Sequence, residues 1–586
     1  MADAIGRLWS TVKFTLSKWR LLRGNCRLAS IVPPRWHRCR GLLPAIFERE
    51  PNLKLPLRTI LAISVPVAFF AAVVPANAAT ARVALIGDSV PAMASGVVAT
   101  GQVAGSQRIP LAISLAPRDE AGLQSFINSV SDPHSAQYGH YLTTAQYADR
   151  FGPSQSEVDS VTGFLRAQGL SVDSVSPSHL VVDASGTAAQ VESAFGTTLA
   201  TYRDSATNRS FYANVSAPTL PADVASAVVD VAGLNTRAPR VHHIQPLDGP
   251  GGGYTPAQIK GGYDVTPLAN AGFTGTGQRV ALLEFDGFQQ SNITTYVNHY
   301  GLAATTPVVQ RVDGGSGALG GGQIEVELDI EVVQALAPKA AVTVFEGPNS
   351  DAGEVDTYQA IVNSGIPVTS SSWGLAETLR TSANITAVHN VFQQGSAQGE
   401  TVFAASGDSG SDDAGNGGRS VDFPASDPNV TGTGGTTLTV TANNTFSRET
   451  AWSGGGGGIS SMFAQPSFQS GVTGTNGMRG VPDVAALANP TPGVSIFSEG
   501  QWGRVGGTSA AAPEWAGFAA LYNQDAASKG KAGLGWANPL LYRLAATAFH
   551  DTTSGSNGAF RAATGYDLVT GRGSFDAAKF ATAGGL

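Results

Sequence analysis

The chain has 586 residues, of which 42% are hydrophobic and only 14% charged. That is enough apolar material for two or three folded units and too little charge for a disordered or coiled-coil chain. The formal net charge of −8 is unevenly spread: positions 1–58 hold about 12 Lys or Arg against 3 acids, leaving about 24 basic against 41 acidic residues in the body, a balance that argues against nucleic-acid binding.

Residues 60–74, ILAISVPVAFFAAVV, form an apolar run preceded by Lys54 and Arg58 and followed by Ala76-Asn77-Ala78. The run is short for a membrane span and its end has the A-x-A form of a cleavage signal. Residues 1–78 therefore read as a basic leader and signal peptide. The expected product is a secreted, extracellular protein with no membrane attachment after signal removal; the competing reading is a single retained anchor. The long stretch before the run suits a start site placed too far upstream. Both cysteines, Cys26 and Cys39, lie in this leader, so the body has no disulfides to rely on.

Residues 80–240 read as a small α/β sandwich. Arg108–Leu115 reads as a strand, and Asp119–Val130 as a helix with Leu123, Phe126 and Ile127 at helical spacing. Thr143 caps a short helix ending near Phe151, and Ser156–Ala167 is another helix. Strands follow at Leu180–Val182 and around Phe211–Tyr212. A Pro- and Gly-rich stretch, Arg237–Tyr254, reads as a linker, centred on 241–253. From 254 to 586 short apolar strands (Val280–Phe285, Val342–Glu346, Val368–Ser372, Thr401–Ala405) alternate with helices. That alternation predicts an α/β fold: a parallel sheet with helices on both faces and functional loops at the strand C-termini.

Three segments carry chemistry. In GGTSAAAPEWAG, Gly506-Gly507-Thr508 makes an unhindered turn and sets Ser509 at a helix N-terminus, which favours developing negative charge; an ordinary Ser N-cap is the competing reading. In GGQIEVELDIEVVQALAP (321–338), acids and apolar residues alternate as in a strand, yet the length also suits a helix of about four turns. On a helix Glu325 and Asp329 share one face and can share a proton. In AASGDSGSDD (404–413), Asp408 follows a strand and is either a reactive carboxyl or a turn residue.

The serine segment resembles those of the subtilisin-like peptidases and of the sedolisins. Subtilisins use a His followed by Gly, and none of the nine His here is followed by Gly. Past the linker only His299, His389 and His550 remain. The acidic segment resembles the Glu and Asp, four residues apart, of the sedolisin family, closest to kumamolisin-type members. That resemblance implies a subtilisin-like fold, with Ser509 as nucleophile, Glu325 as general base and Asp329 as its orienting, proton-sharing partner. It makes Glu327 and Glu331 structural and Asp408 the oxyanion-hole residue, beside the Ser509 backbone N–H. SSSWG (370–374) and ALLEFDG match as well, giving Trp373 and Glu284 supporting roles in the hydrogen-bonded chain. SGGGGGIS (453–460) is expected to line the substrate cleft.

In FHDTTSGSNGAFRAATGYDLVTGRG (549–573), Asp551 and Asp567 bracket a Gly-rich turn with no Cys, and His only at 550. Hard oxygen ligands suit calcium, and the spacing is not that of an EF-hand. Resemblance to the sedolisin calcium site implies one ion held by Asp551 and Asp567 side chains and the carbonyls of Thr552, Ala563 and Gly565. The 80–240 segment, through SDPHSAQYGHYLTTAQYADRFGPS, resembles the activation domain of pro-kumamolisin. This implies a ferredoxin-like prodomain acting as intramolecular inhibitor, with a processing site in the linker. The expectation is a monomeric, acid-active serine-carboxyl endopeptidase acting on proteins and peptides. The alternatives are a tripeptidyl exopeptidase of the same family and an inactive secreted binding protein on this fold.

Overall fold

Along Arg279–Glu284 successive side chains enter two different apolar layers, as in a strand buried on both faces. Val280 and Leu282 pack with Val326, Val333 and Phe518; Ala281 and Leu283 pack with Val355, Ile361 and Val388. In the computed structural model, which describes residues 81–586 apart from 94–95, 206, 238, 248–251 and 316, this strand lies inside a large sheet. The order is Val308–Arg311, Ala341–Glu346, Arg279–Glu284, Val368–Ser371, Thr401–Ala405, Thr431–Val440, all parallel. Val484–Leu487 joins the last strand in parallel, and Phe446–Ala451 joins it antiparallel. Helices Gln323–Leu336 and Thr508–Ser528 cover one face; Asp351–Ser364 and Ser382–Ala397 cover the other. The subtilisin-like α/β expectation holds, and the four predicted strands fall within a residue or two of their observed ends.

The ambiguous acidic segment is a helix, Gln323–Leu336, and its acids are not a solvated face. Glu325, Glu327, Asp329 and Glu331 are all fully buried. Glu327 accepts from Gln289 N, Asn292 Nδ2 and Gln323 Nε2 at 2.9–3.0 Å, and Glu331 from Phe497 N at 3.0 Å. Burying a carboxyl costs little only when such partners are present.

The N-terminal layer is a four-stranded antiparallel sheet in the order Ser171–Val175, Val181–Thr187, Arg108–Leu115, Val228–Ala232. Ile109, Leu111 and Ile113 point into its own core with Val161, Leu165 and Val191. Ala112, on the opposite face, joins Leu123, Phe126 and Ile127 against Ile361, Val388 and Val391 of the large sheet's outer helices. The small layer thus shares a core with the large one. Its helices begin where their caps dictate: Asp119 accepts from Gly122 N at 2.9 Å, and Thr143 and Ser154 form capping boxes. The predicted strand at Leu180–Val182 is longer, Val181–Thr187, and Phe211–Tyr212 lies in Arg209–Asn214 of a separate three-stranded sheet. The leader, its apolar run and both cysteines lie outside the described residues. No helix among the described residues is long and apolar enough to cross a membrane.

Candidate active site

Gly507 has φ +112, a conformation open to glycine, and a Cβ there would lie 2.1 Å from the His243 carbonyl oxygen and 2.7 Å from Asp408 Oδ2. The helix Thr508–Ser528 starts at once, so its first N–H groups lack helical partners. Thr508 N donates to Asp408 Oδ1 at 2.8 Å, and Ser509 N donates to the His243 carbonyl at 3.0 Å. Pro513 has no N–H to give the Ser509 carbonyl four residues back; Ser372 Oγ stands 3.3 Å from that oxygen.

The carboxyls come from one helix and one strand end. Glu325 and Asp329 stand on the first turns of Gln323–Leu336, and Glu284 closes the strand Arg279–Glu284. Gly322, just before the helix, lets the Trp373 ring approach: a Cβ there would be 2.7 Å from it. Trp373 Nε1 donates to Glu284 Oε2 at 2.8 Å. Ser372 Oγ donates to both Asp329 oxygens, at 2.8 and 2.9 Å. Burial and the neighbouring Asp329 hold the Glu325 carboxyl well above the usual carboxylate range. Burial raises Asp329, and burial with Asp329 raises Glu284. Three acids so close and so buried cannot all be charged at once. The Ser509 hydroxyl lies beside Glu325 and favours its ionised form. Ser509 Oγ and both Glu325 oxygens nonetheless have no partner within hydrogen-bonding geometry among the described residues. Such contacts commonly tighten only in the reacting complex.

Asp408 follows the strand Thr401–Ala405. Its Oδ1 accepts from Thr508 N and Oγ1 at 2.8 and 3.0 Å, while its buried Oδ2 has no partner. Burial pushes its pKa up to about 6. Asp408 Oδ2, a donor when protonated, and the Ser509 N–H both lie near one carbonyl oxygen, that of His243. Two donors so arranged can stabilise an oxyanion. Glu284, Trp373 and Asp408 sit at or just past the carboxyl ends of parallel strands, where such sheets place their sites; Glu325 and Asp329 come from the helix Gln323–Leu336 and Ser509 from the helix that follows the antiparallel strand Gln501–Gly506.

The predicted residues Ser509, Glu325, Asp329, Asp408, Trp373 and Glu284 thus come together. Two were missed. Ser372 and Thr508 orient Asp329 and Asp408, and they stand inside the SSSWG and GGTS segments without a pattern of their own. The glycine run differs from expectation. Gly455–Gly457 are buried against the protein's own backbone, and a Cβ on Gly456 would lie 1.8 Å from the Ser406 carbonyl. Gly456 admits the loop that carries Asp408, while Gly455 faces Gly435 and Gly457 faces Leu568 and Pro482. The histidines beyond the linker lie elsewhere: His389 pairs with Asp427 at 2.8 Å, His299 packs on Trp502, and His550 stacks on Phe446.

The linker itself occupies the site. Arg240 is buried, with its guanidinium 2.5 Å from Asp351 and 2.6 Å from Glu354. Val241–His242 pairs antiparallel with Trp373–Ala376, and His243 N donates to the Ser372 carbonyl at 3.1 Å. The His242 ring packs edge-on against Trp373, with Nδ1 3.7 Å from Glu325. Gln245–Leu247 then pairs antiparallel with Arg504–Gly506.

Near the C-terminus, Gly565 N donates to Asp551 Oδ2 at 3.0 Å and Ala563 N to Asp567 Oδ2 at 2.9 Å, folding the loop around both carboxyls. Asp551 Oδ1 is buried without a partner. Ala563 keeps an ordinary negative φ, so its carbonyl needs no glycine there. No cluster of three or more His, Cys, Asp or Glu suited to a metal occurs among the described residues. A site here would take two carboxylates completed by carbonyls, an all-oxygen set that fits a hard cation.

Residues 95–237 match the family described as Pro-kumamolisin, activation domain, and residues 316–566 match the subtilase family. The chain is 33% identical over 517 residues to kumamolisin of Bacillus sp. (strain MN-32), covering 81% of this chain and 91% of that protein. It is 29% identical over 523 residues to sedolisin of Pseudomonas sp. (strain 101), covering 82% of this chain and 87% of that protein. The solved structure of Pseudomonas sedolisin, a serine-carboxyl proteinase complexed with two molecules of pseudo-iodotyrostatin, superposes with a TM-score of 0.52 at 28% identity. That superposition covers 57% of this chain and 98% of the other. With a serine beside buried carboxyls on a subtilisin-like sheet-and-helix framework, and an activation domain before it, this chain belongs to the sedolisin family of serine-carboxyl peptidases.

Proposed function

We propose that the protein is a secreted, acid-active endopeptidase that matures by autocleavage. Ser509 Oγ attacks a peptide carbonyl while Glu325 takes its proton. Asp329 orients Glu325 and shares its proton, with Glu284 and Trp373 extending the hydrogen-bonded chain. Asp408, protonated, and the Ser509 N–H hold the oxyanion. Glu325 then returns the proton to the leaving amine, and water resolves the acyl-enzyme through the same carboxylate. The observation that carries this reading is the approach of the Glu325 carboxyl to the Ser509 hydroxyl in a buried site where, among the described residues, the histidines are those of the linker.

Endopeptidase action is favoured by the path of residues 240–247. The chain enters the cleft on one side of Ser509 and leaves on the other, with more than three residues ordered upstream. In this reading, residues 1–78 are the leader and signal, 80–240 the prodomain and inhibitor, 241–253 the processed linker, and 254–586 the peptidase, acting as a monomer. Asp551 and Asp567, with the carbonyls of Thr552, Ala563 and Gly565, would hold one calcium ion, which when bound supplies a cross-link in a body without disulfides.

The test is maturation of the purified precursor in acid. Ser509→Ala should stop it, since losing a nucleophile costs about 10⁶-fold in a comparable peptidase. A Ser509→Ala precursor that matures unaided would overturn the reading. Digestion of a protein with a blocked N-terminus separates endopeptidase from tripeptidyl action.

A further inference from the structure

We infer that the bond cut first in maturation is His243–Ile244, and that the molecule cuts it in itself. This rests on the function proposed above and names the substrate that the site already holds.

Four contacts fix the register. The His243 carbonyl oxygen accepts from Ser509 N at 3.0 Å. The same oxygen and Asp408 Oδ2 both flank the point where a Gly507 Cβ would stand, at 2.1 and 2.7 Å. Among the described linker residues, this carbonyl is the one that the Ser509 N–H holds and that lies near Asp408 Oδ2. One residue-length to the N-terminal side, His243 N donates to Ser372 O at 3.1 Å, and Val241 lies opposite Gly374 in antiparallel register. Further upstream Arg240 is locked by Asp351, Glu354 and Asn384, at 2.5, 2.6 and 2.9 Å. On the other side Gln245 lies opposite Gly506. A slip of one residue would break the backbone bonds and withdraw Arg240 from its buried acids, and an unpaired buried guanidinium is costly. An extended chain held by backbone bonds on both sides of a nucleophile is a bound substrate.

The step balances. Ser509 Oγ bonds to the His243 carbonyl carbon and its proton passes to Glu325. The bond from that carbon to Ile244 N breaks, and the proton goes to the departing amine. The ester left on Ser509 is hydrolysed by water, giving a carboxyl at His243 and a free amino group at Ile244. The new N-terminus remains paired to Arg504–Gly506 through Gln245–Leu247.

The full-length precursor is brought to acid pH, and early products are read by intact mass. The first mature chain should begin at Ile244. Its half-time should not change over a roughly hundredfold range of precursor concentration, as for an intramolecular reaction. His243→Pro, which lacks the N–H given to Ser372, should slow this cut about tenfold or more. A first cut elsewhere, a half-time that shortens with concentration, or an unaffected His243→Pro precursor would each overturn the inference. Failure of the underlying function looks different: a Ser509→Ala precursor would then cut itself at this same bond.

Discussion

A carboxyl can donate to an oxyanion only while it keeps its proton. Asp408 keeps it to about pH 6, because burial disfavours the charged form. The ionised form would place a negative charge beside another, so turnover should fall as pH rises through that value. The acid limb has a different origin: Glu325, Asp329 and Glu284 must release one proton among them before a base exists. Asp408→Ala should lower kcat by about 10²–10³-fold. Asp408→Asn, whose amide donates without titrating, should keep more activity and lose the alkaline fall. A pH–rate profile of Asp408→Asn that still drops near 6 would assign that limb to another group. At this scale the sequence was informative where a residue type is chemically exposed: Ser509 after two glycines, Asp408 after a strand. Ser372 and Thr508 act through a single hydroxyl or N–H aimed by the fold, and no spacing announces that.

Elements show where local pattern fails. The alternation in EVELDIE fits a strand as well as a helix, because both of the segment's faces are buried and a period tells only which residues differ in surroundings. Partners decided it: Asn292, Gln323 and Phe497 supply the donors that let acids stand inside a helix packed on all sides. The glycine run was legible as a place of close approach, and Gly455–Gly457 do lie close against the backbone of neighbouring segments. In the C-terminal loop, Asp567 Oδ1 accepts from Val569 N and Thr570 N at 2.9 and 2.8 Å, leaving Asp551 Oδ1 unpaired. If this loop holds calcium as proposed, a chelator should lower the Tm of the wild type. Asp551→Asn should show a smaller chelator effect, since one charged ligand is already lost. A Tm indifferent to chelator and calcium would remove the ion from this loop.

For the whole molecule, buried carboxyls set the direction of pH dependence. Burial raises Glu284, Glu325, Asp356, Asp422 and Glu514 well above the usual range, and pushes Asp230 to about 6 and Glu400 to about 8. A carboxyl whose folded pKa is raised contributes stability that is complete below its unfolded pKa and lost as pH rises through the folded one. Glu354, held low by Arg240 and Arg380, works the other way but only below about pH 4.5. The Ser509→Ala precursor should accordingly melt at a higher temperature at pH 5 than at pH 8, and equal or reversed Tm values would contradict this bookkeeping of protons. The alternation of strands and helices made the large sheet legible from sequence. The shared core between Leu123, Phe126 and Val388 was not, because the same apolar residues would serve a separate prodomain equally well.

In the proposed reaction a carboxylate, Glu325, lifts the proton from Ser509. Its most direct measurement is the rate of self-cleavage of the Glu325→Gln precursor against wild type in acid. Glutamine keeps the shape and removes the base, so the rate should fall by about 10²–10⁴-fold. A Glu325→Gln precursor that cleaves itself at the wild-type rate would contradict the account.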